Sequence, residues 1–67
     1  MTVAKIVRVN GMDLKVERIR LHVRQIELAE RMGVSRNRVW LIENNARLRP
    51  ETAERYRNAL RELAEGE

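Results

Sequence analysis

Apolar residues recur at helical spacing on both sides of Gly33. They are Leu28, Ala29 and Met32 before the glycine, Val34 directly after it, and Val39 and Ile42 further along. The glycine supplies the left-handed backbone that ends a helix, and Ser35 can accept backbone N–H bonds as the N-cap of another. The pattern across residues 25–44 therefore predicts two short helices joined by a tight turn.

The chain before this segment changes from a strand pattern to a helical one. Residues 2–9 are rich in β-branched side chains and too short for a periodic helix, and the turn signal Asn10-Gly11 follows them. Asp13 can then cap a first helix that runs to about His22. Its apolar residues form two stripes, Leu14 with Leu21, and Val16 with Ile19 and Val23. Two stripes predict two packing partners for this helix.

The remaining pattern is helical to its end. Arg24 or Gln25 opens the helix before Gly33, and Pro50 occupies the first turn of a last helix that reaches about Glu65. The last helix has a core stripe of Ala53, Tyr56, Leu60 and Leu63, and i,i+4 ion pairs of Glu51 with Arg55 and Arg61 with Glu65. We expect a mainly α domain over residues 1–67, with a strand in residues 1–10 and a helical body in residues 13–65.

The predicted strand has no second strand pattern to pair with. Its N–H and C=O groups need partners, and the same strand of a second copy can supply them in a symmetric antiparallel ribbon. The side chains expected at this dimer contact are Val3, Ile6, Val7 and Val9. The alternative is a frayed terminal tail.

Charge is distributed unevenly along the chain. The net charge is +4, and residues 1–50 hold 11 Lys and Arg against 5 Asp and Glu. Most of the basic residues are arginines, which form planar, bidentate hydrogen bonds with phosphate and guanine. A basic body suits a nucleic-acid partner, although a solvated charged surface would look the same.

Composition also argues against several other classes of protein. The chain has no cysteine and one histidine, His22, so neither a thiolate metal site nor a thiol enzyme is expected. No nucleophile and base pair, carboxylate dyad or phosphate-binding glycine loop is present. No apolar run approaches the ~18 residues of a membrane span. We expect a cytoplasmic protein that is not an enzyme and has no metal, cofactor or small-molecule ligand.

Several residues of the helical body together form a motif with characteristic spacing. They are Arg18, Gln25, Leu28-Ala29, Gly33-Val34-Ser35 and Ile42-Glu43-Asn44. With this motif, residues 14–60 resemble the helix-turn-helix family of phage Cro and lambda-type repressors. The resemblance implies four helices, or five if the last pattern covers two helices of the family. The N-terminal strand lies outside the family's core pattern.

The helix after Ser35 can be divided into faces at 100° per residue. If Val39 and Ile42 point inward, the outward residues are Asn37, Leu41 and Asn44, with Arg36 and Trp40 on their flank. A recognition helix lays such a face in the major groove, where arginine pairs with guanine and asparagine with adenine. The predicted base-reading residues are Arg36, Asn37, Trp40 and Leu41. The alternative for Trp40 is to fold back as peripheral core.

Other polar residues can hold DNA without reading its sequence. The residues predicted to contact phosphate are Arg24, Gln25, Ser35, Arg38, Asn44, Arg47 and Arg49, each of which could instead be a solvated side chain. The resemblance implies that Gln25 binds a phosphate at the start of its helix. It also implies a structural salt bridge between Arg18 and Glu43.

The resemblance implies a sequence-specific regulator that binds double-stranded DNA. We expect a homodimer on a pseudo-palindromic operator, acting as a repressor. Two alternatives remain open. One is the antitoxin of a toxin-antitoxin pair, which would bind a toxin protein and regulate its own expression. The other is an architectural factor that bends DNA.

Overall fold

The computed structural model describes residues 8–66. They form the helices α1 (Gly11–Arg20), α2 (Gln25–Met32), α3 (Arg36–Glu43) and α4 (Pro50–Glu65). The prediction of a mainly helical chain with four helices is confirmed for these residues. None of these helices is long and apolar enough to cross a membrane.

Only the end of the predicted N-terminal strand lies within the described residues. Val3, Ile6 and Val7, which were expected at a dimer contact, lie outside them. Val9 forms an isolated antiparallel bridge with Leu48 within the chain. The Val9 N–H donates to Leu48 O at 3.0 Å, and the Val9 carbonyl oxygen accepts the Leu48 N–H at 2.8 Å. The expectation that the chain offers no partner is therefore wrong at Val9. Leu48 was missed because a single bridge has no periodic pattern.

Helix α1 begins earlier than predicted. Its N-cap is Asn10, not Asp13, and the Asn10 side chain accepts the Met12 N–H at 2.9 Å. Gly11, which was expected in a strand-ending turn, is the first helical residue, and its N–H donates to Asn45 O at 2.8 Å. A Cβ at Gly11 would overlap the backbone carbonyl of Ile42. The glycine thus lets α1 begin directly against the end of α3.

The ends of α1 and α2 share one backbone motif. After α2, Gly33 has φ 74° and the Val34 N–H donates to Ala29 O at 3.0 Å, as predicted from the glycine. After α1, the same left-handed conformation falls on His22, with φ 58°. His22 was expected to be a solvated or capping residue near the end of this helix, and it is exposed there, but its left-handed backbone was not predicted.

The core is built from all four helices and the Val9–Leu48 bridge. Its buried apolar residues are Leu14, Leu28, Ala29, Val39, Ile42, Leu48, Ala53, Tyr56, Ala59 and Leu60. Met32, Val34 and Leu63 pack against this cluster, as the helical spacing predicts. The two stripes predicted for α1 are wrong, because Leu21 is 46% exposed and Val16 and Ile19 are also exposed. Only Leu14 of these residues is buried.

Ion pairs connect α4 to its neighbours rather than stabilise it internally. Arg57 lies 3.0 Å from Glu17 of α1, and Arg31 of α2 lies 2.7 Å from Glu62. Neither of the i,i+4 pairs predicted within α4 forms in the described chain. The exposed carboxylates and guanidiniums of α4 reach instead across the helix interfaces.

Candidate nucleic-acid interface

Helix α3 presents one face to the core and the other to solvent. Ser35 caps its start, with the Ser35 hydroxyl oxygen accepting the Arg38 N–H at 3.1 Å. Val39 and Ile42 are buried, as predicted, so the opposite side is outward. The outward and exposed residues are Arg36, Asn37, Trp40, Leu41 and Asn44.

Trp40 contributes a large apolar surface to this outward face. Its exposed fraction is 51% and that of Leu41 is 47%. This exposure does not fit the alternative in which Trp40 folds back as peripheral core. Two large apolar side chains on one outward face are typical of a surface that binds a partner.

A buried carboxylate lies directly behind α3. Glu43 is 2% exposed, and it accepts hydrogen bonds from a different helix at each contact. The donors are Arg18 Nε of α1 at 2.6 Å, Gln25 Nε2 of α2 at 2.9 Å and the Tyr56 hydroxyl of α4 at 2.5 Å. Glu43 therefore joins α3 to the three other helices. We call these four residues the Glu43 network.

Protonation of the Glu43 network follows from its contacts. Burial alone would raise the pKa of Glu43, but hydrogen bonds from Arg18, Tyr56 and Gln25 outweigh it, so this pKa is lower than usual. Burial raises the pKa of Tyr56, and the hydrogen bond to Glu43 raises it further. The carboxylate is thus charged and the tyrosine is a neutral donor at neutral pH.

Sequence reasoning found only part of this network. The structure brings together Arg18 and Glu43, and Arg18 also donates to Val23 O at 2.8 Å. Tyr56 was expected only as apolar core, and Gln25 only as a phosphate contact. A buried tyrosine hydroxyl needs a hydrogen-bond partner, and that requirement is the signal that could have linked Tyr56 to Glu43.

The start of α2 presents the amide of Gln25 and the exposed guanidinium of Arg24. One N–H of the Gln25 amide donates to Glu43, which leaves its second N–H for another acceptor. The Arg24 backbone N–H donates to the Glu27 carboxylate at 2.8 Å, and this bond lowers the pKa of Glu27. The exposed Arg24 side chain lies 3.5 Å from Glu27 and makes no cap bond of its own.

Two depressions flank α3, and most of the residues predicted to contact DNA line one or the other. A cleft of about 330 Å³ is lined by Gln25, Arg36, Asn37 and Trp40, and we call it the tryptophan cleft. A groove of about 550 Å³ on the other flank is lined by Arg8, Arg38, Leu41, Ile42, Asn45, Arg47, Leu48, Arg49 and Thr52, and we call it the arginine groove. Leu41 and Trp40 thus line different depressions, although both are on the outward face of α3. The depressions contain no Ser35 or Asn44.

Asn44 and the segment around Arg8 have roles that sequence reasoning did not assign. The Asn44 amide donates to Trp40 O at 2.8 Å at the end of α3, while Arg8 lies in the arginine groove beside Arg47 and Arg49. Arg8 was treated as part of a dimerisation strand. The described residues contain no group of three or more His, Cys, Asp or Glu side chains able to hold a metal ion.

A comparison with protein families gives one match. The model of the helix-turn-helix family matches residues 14–65, which include α2, the turn at Gly33, α3 and all of α4. No curated protein and no solved structure matches the chain.

Proposed function

Because the chain belongs to the Cro/C1-type helix-turn-helix family of DNA-binding transcriptional regulators, we propose that it binds a specific double-stranded DNA sequence through α3. The observation that carries the proposal is the outward face of α3. Arg36, Asn37 and the half-exposed Trp40 share one cleft there. The Glu43 network holds the opposite side of the helix in the core.

Arg36 and Asn37 are the proposed base readers. They lie in the first turn of α3, the part of a recognition helix that reaches base edges in the major groove. Arginine fits the O6 and N7 acceptors of guanine, and asparagine fits the N6 and N7 groups of adenine. Trp40 and Leu41 would add apolar contacts with thymine methyl groups on the two flanks of the helix.

The proposed phosphate contacts surround these residues. Gln25 can hold a phosphate with its second amide N–H, and Ser35 can donate its hydroxyl hydrogen while its oxygen caps α3. The uncapped first turn of α2 favours an anion at the same place. The remaining proposed contacts are Arg24, Arg38, Asn44 and Arg47, all of which are exposed.

A homodimer is the proposed functional unit, and the register of the Val9–Leu48 bridge supports it. Continuing this antiparallel register would place residue 7 opposite Pro50, which has no N–H and begins α4. Among the described residues, this register is therefore interrupted at Pro50. We infer that Val3, Ile6 and Val7 pair with the same segment of a second copy, forming a dimer that represses transcription by occupying a pseudo-palindromic operator.

An antitoxin is the second candidate function. It would need a protein-binding surface away from α3, and the exposed side chains of Met12, Val16 and Ile19 follow one another at helical spacing on the outer face of α1. The discriminating test is expression of the product of the adjacent gene with and without this protein. Growth arrest that this protein relieves supports the antitoxin function, and normal growth in both cases contradicts it.

Selection of bound duplexes from a random library tests the main proposal. The wild type should enrich a two-fold symmetric motif, whereas Arg36→Ala with Asn37→Ala should lose preference at the guanine and adenine positions, at about 1 to 3 kcal/mol per contact. A matched control is Arg20→Ala with Asn58→Ala, which removes one arginine and one asparagine from exposed positions outside α3. The same motif from wild type and the α3 double variant would exclude the assignment of base readers.

A further inference from the structure

The arginine groove concentrates positive charge without compensation. Four of its lining residues are arginines, namely Arg8, Arg38, Arg47 and Arg49, and none is a carboxylate. In the described chain, none of these four guanidiniums forms an ion pair or a hydrogen bond. Like charges facing one depression repel each other, and a bound anion would relieve that repulsion.

The Val9–Leu48 bridge determines where two of these arginines lie. Its antiparallel register places Arg8 directly opposite Arg49. Side chains alternate across a ladder, so Arg8 and Arg49 lie on the face opposite the core-packed Val9 and Leu48. Like charges directly opposite each other on paired strands are unfavourable. The fold therefore places two arginines opposite each other on one exposed face, where both line the arginine groove.

The ligand that fits this arrangement is a phosphodiester backbone. Leu41 belongs both to the outward face of α3 and to the wall of the groove. A duplex whose major groove receives α3 has one strand along each flank of the helix. One strand passes the tryptophan cleft, and the other passes the arginine groove. The groove also includes Thr52 in the first turn of α4, whose N–H groups have no side-chain cap.

We propose that Arg8 and Arg49 form a paired clamp on two adjacent phosphates of one DNA strand, and that the Val9–Leu48 bridge is the device that positions Arg8 for it. This inference rests on the proposed function and adds contacts to it. It gives the segment before α1 a direct role in DNA binding, alongside the pairing proposed for residues 1–7. Arg38 and Arg47 complete the groove around the same strand.

The salt dependence of DNA binding tests the clamp. The plot of log K against log salt concentration has a negative slope, and each phosphate contact adds about 0.9 to its magnitude. We refer to this magnitude as the slope. A mixed-sequence duplex is the probe, because phosphate contacts do not depend on its sequence. Arg8→Gln and Arg49→Gln should each lower the slope by about 0.9 between about 50 and 200 mM salt. The double variant should lose about twice that amount.

Matched controls separate the clamp from a general loss of charge. Arg20→Gln and Arg61→Gln each remove one exposed arginine outside the groove, and both should leave the slope unchanged. Sedimentation should show that all variants keep the mass of the wild type. A wild-type slope in the Arg8 and Arg49 variants overturns the clamp while leaving the proposed function intact. Absence of salt-dependent binding by the wild type overturns both.

A second set of variants tests the positioning role of the bridge. Val9→Pro removes the N–H that donates to Leu48 O but leaves Arg8 in the chain. It should lower the slope as much as Arg8→Gln, and the two changes together should lower it no further. Val9→Thr keeps the N–H and should retain the wild-type slope. Circular dichroism confirms that each variant is folded, and additive effects of Val9→Pro and Arg8→Gln would contradict the positioning role.

Discussion

His22 occupies a backbone position that suits glycine. Its φ of 58° is left-handed, its N–H donates to Ile19 O at 3.0 Å, and the next N–H donates to Arg18 O at 3.2 Å. A side chain with a Cβ pays about 1 to 2 kcal/mol in this conformation. We predict that His22→Gly raises the free energy of unfolding by about 0.5 to 1 kcal/mol, after the greater entropy of an unfolded glycine is subtracted. Thermal unfolding followed by circular dichroism measures the change.

Gly33 provides the opposite substitution at an equivalent place. It has φ 74°, and a Cβ there would meet no atom within 4 Å. Gly33→Ala should therefore lower stability by about 0.5 to 1 kcal/mol, which is the backbone cost less the entropy that alanine removes from the unfolded chain. Opposite signs for the two substitutions are the expected result. A lower melting temperature for His22→Gly would show that the histidine side chain makes contacts that outweigh the strain.

These residues show what a sequence can reveal at the residue scale. Gly33 was predicted because glycine is the usual residue for a left-handed helix end. His22 carries no such signal, since its conformation follows from how α1 must meet α2. Gly11 was predicted only as part of a turn. Its role depends on the close approach of the Ile42 carbonyl, which is distant in sequence and leaves no local signal.

At the scale of the helices, Tyr56 tests the bond between α4 and α3. Tyr56→Phe removes the hydroxyl that donates to Glu43 at 2.5 Å and keeps the aromatic ring in the core. Hydrogen bonds to charged groups contribute about 1.5 to 3 kcal/mol, so we expect a loss of that size near neutral pH. Chemical denaturation at a series of pH values measures it.

The same substitution has a pH dependence whose sign follows from Glu43. The pKa of Glu43 in the folded protein lies below its usual value of about 4.3. The stability that this shift provides is present above the usual value and is lost as pH falls through the folded pKa. The difference between wild type and Tyr56→Phe should therefore be constant near neutral pH and shrink as pH falls below about 4.3. A constant difference would mean that the hydroxyl does not favour the ionised carboxylate.

Helix bounds were largely predictable, whereas contacts between helices were not. Gly33 is a local signal for the end of α2, and Ser35 and Pro50 are local signals for the starts of α3 and α4. The structure has these helix bounds where the signals indicate. The partner of Val9 is Leu48, a residue in a loop with no strand pattern. Local patterns define single elements, but a bridge between two loops depends on the packed core.

On the scale of the whole molecule, exposed apolar surface and charge have different distributions. The outer surface of α4 is polar and charged, so it is a poor candidate for a dimer contact. The arginines of the two depressions flank α3, where a duplex would lie. This arrangement favours residues 1–7 as the proposed place for two copies to meet.

A symmetric dimer places a limit on operator spacing. Two copies of α3 must enter major grooves about one helical turn, ~34 Å, apart. Inserting about 5 base pairs between the half-sites turns one of them to the far side of the duplex, so affinity should fall to that of a single half-site. Replacing the same number of central base pairs without changing the length is the control. Removal of residues 1–7, which leaves the Val9–Leu48 bridge, should lower the mass in solution to that of a monomer and abolish the effect of spacing. If the insertion leaves affinity unchanged, the copies bind independently and the proposed dimer is wrong.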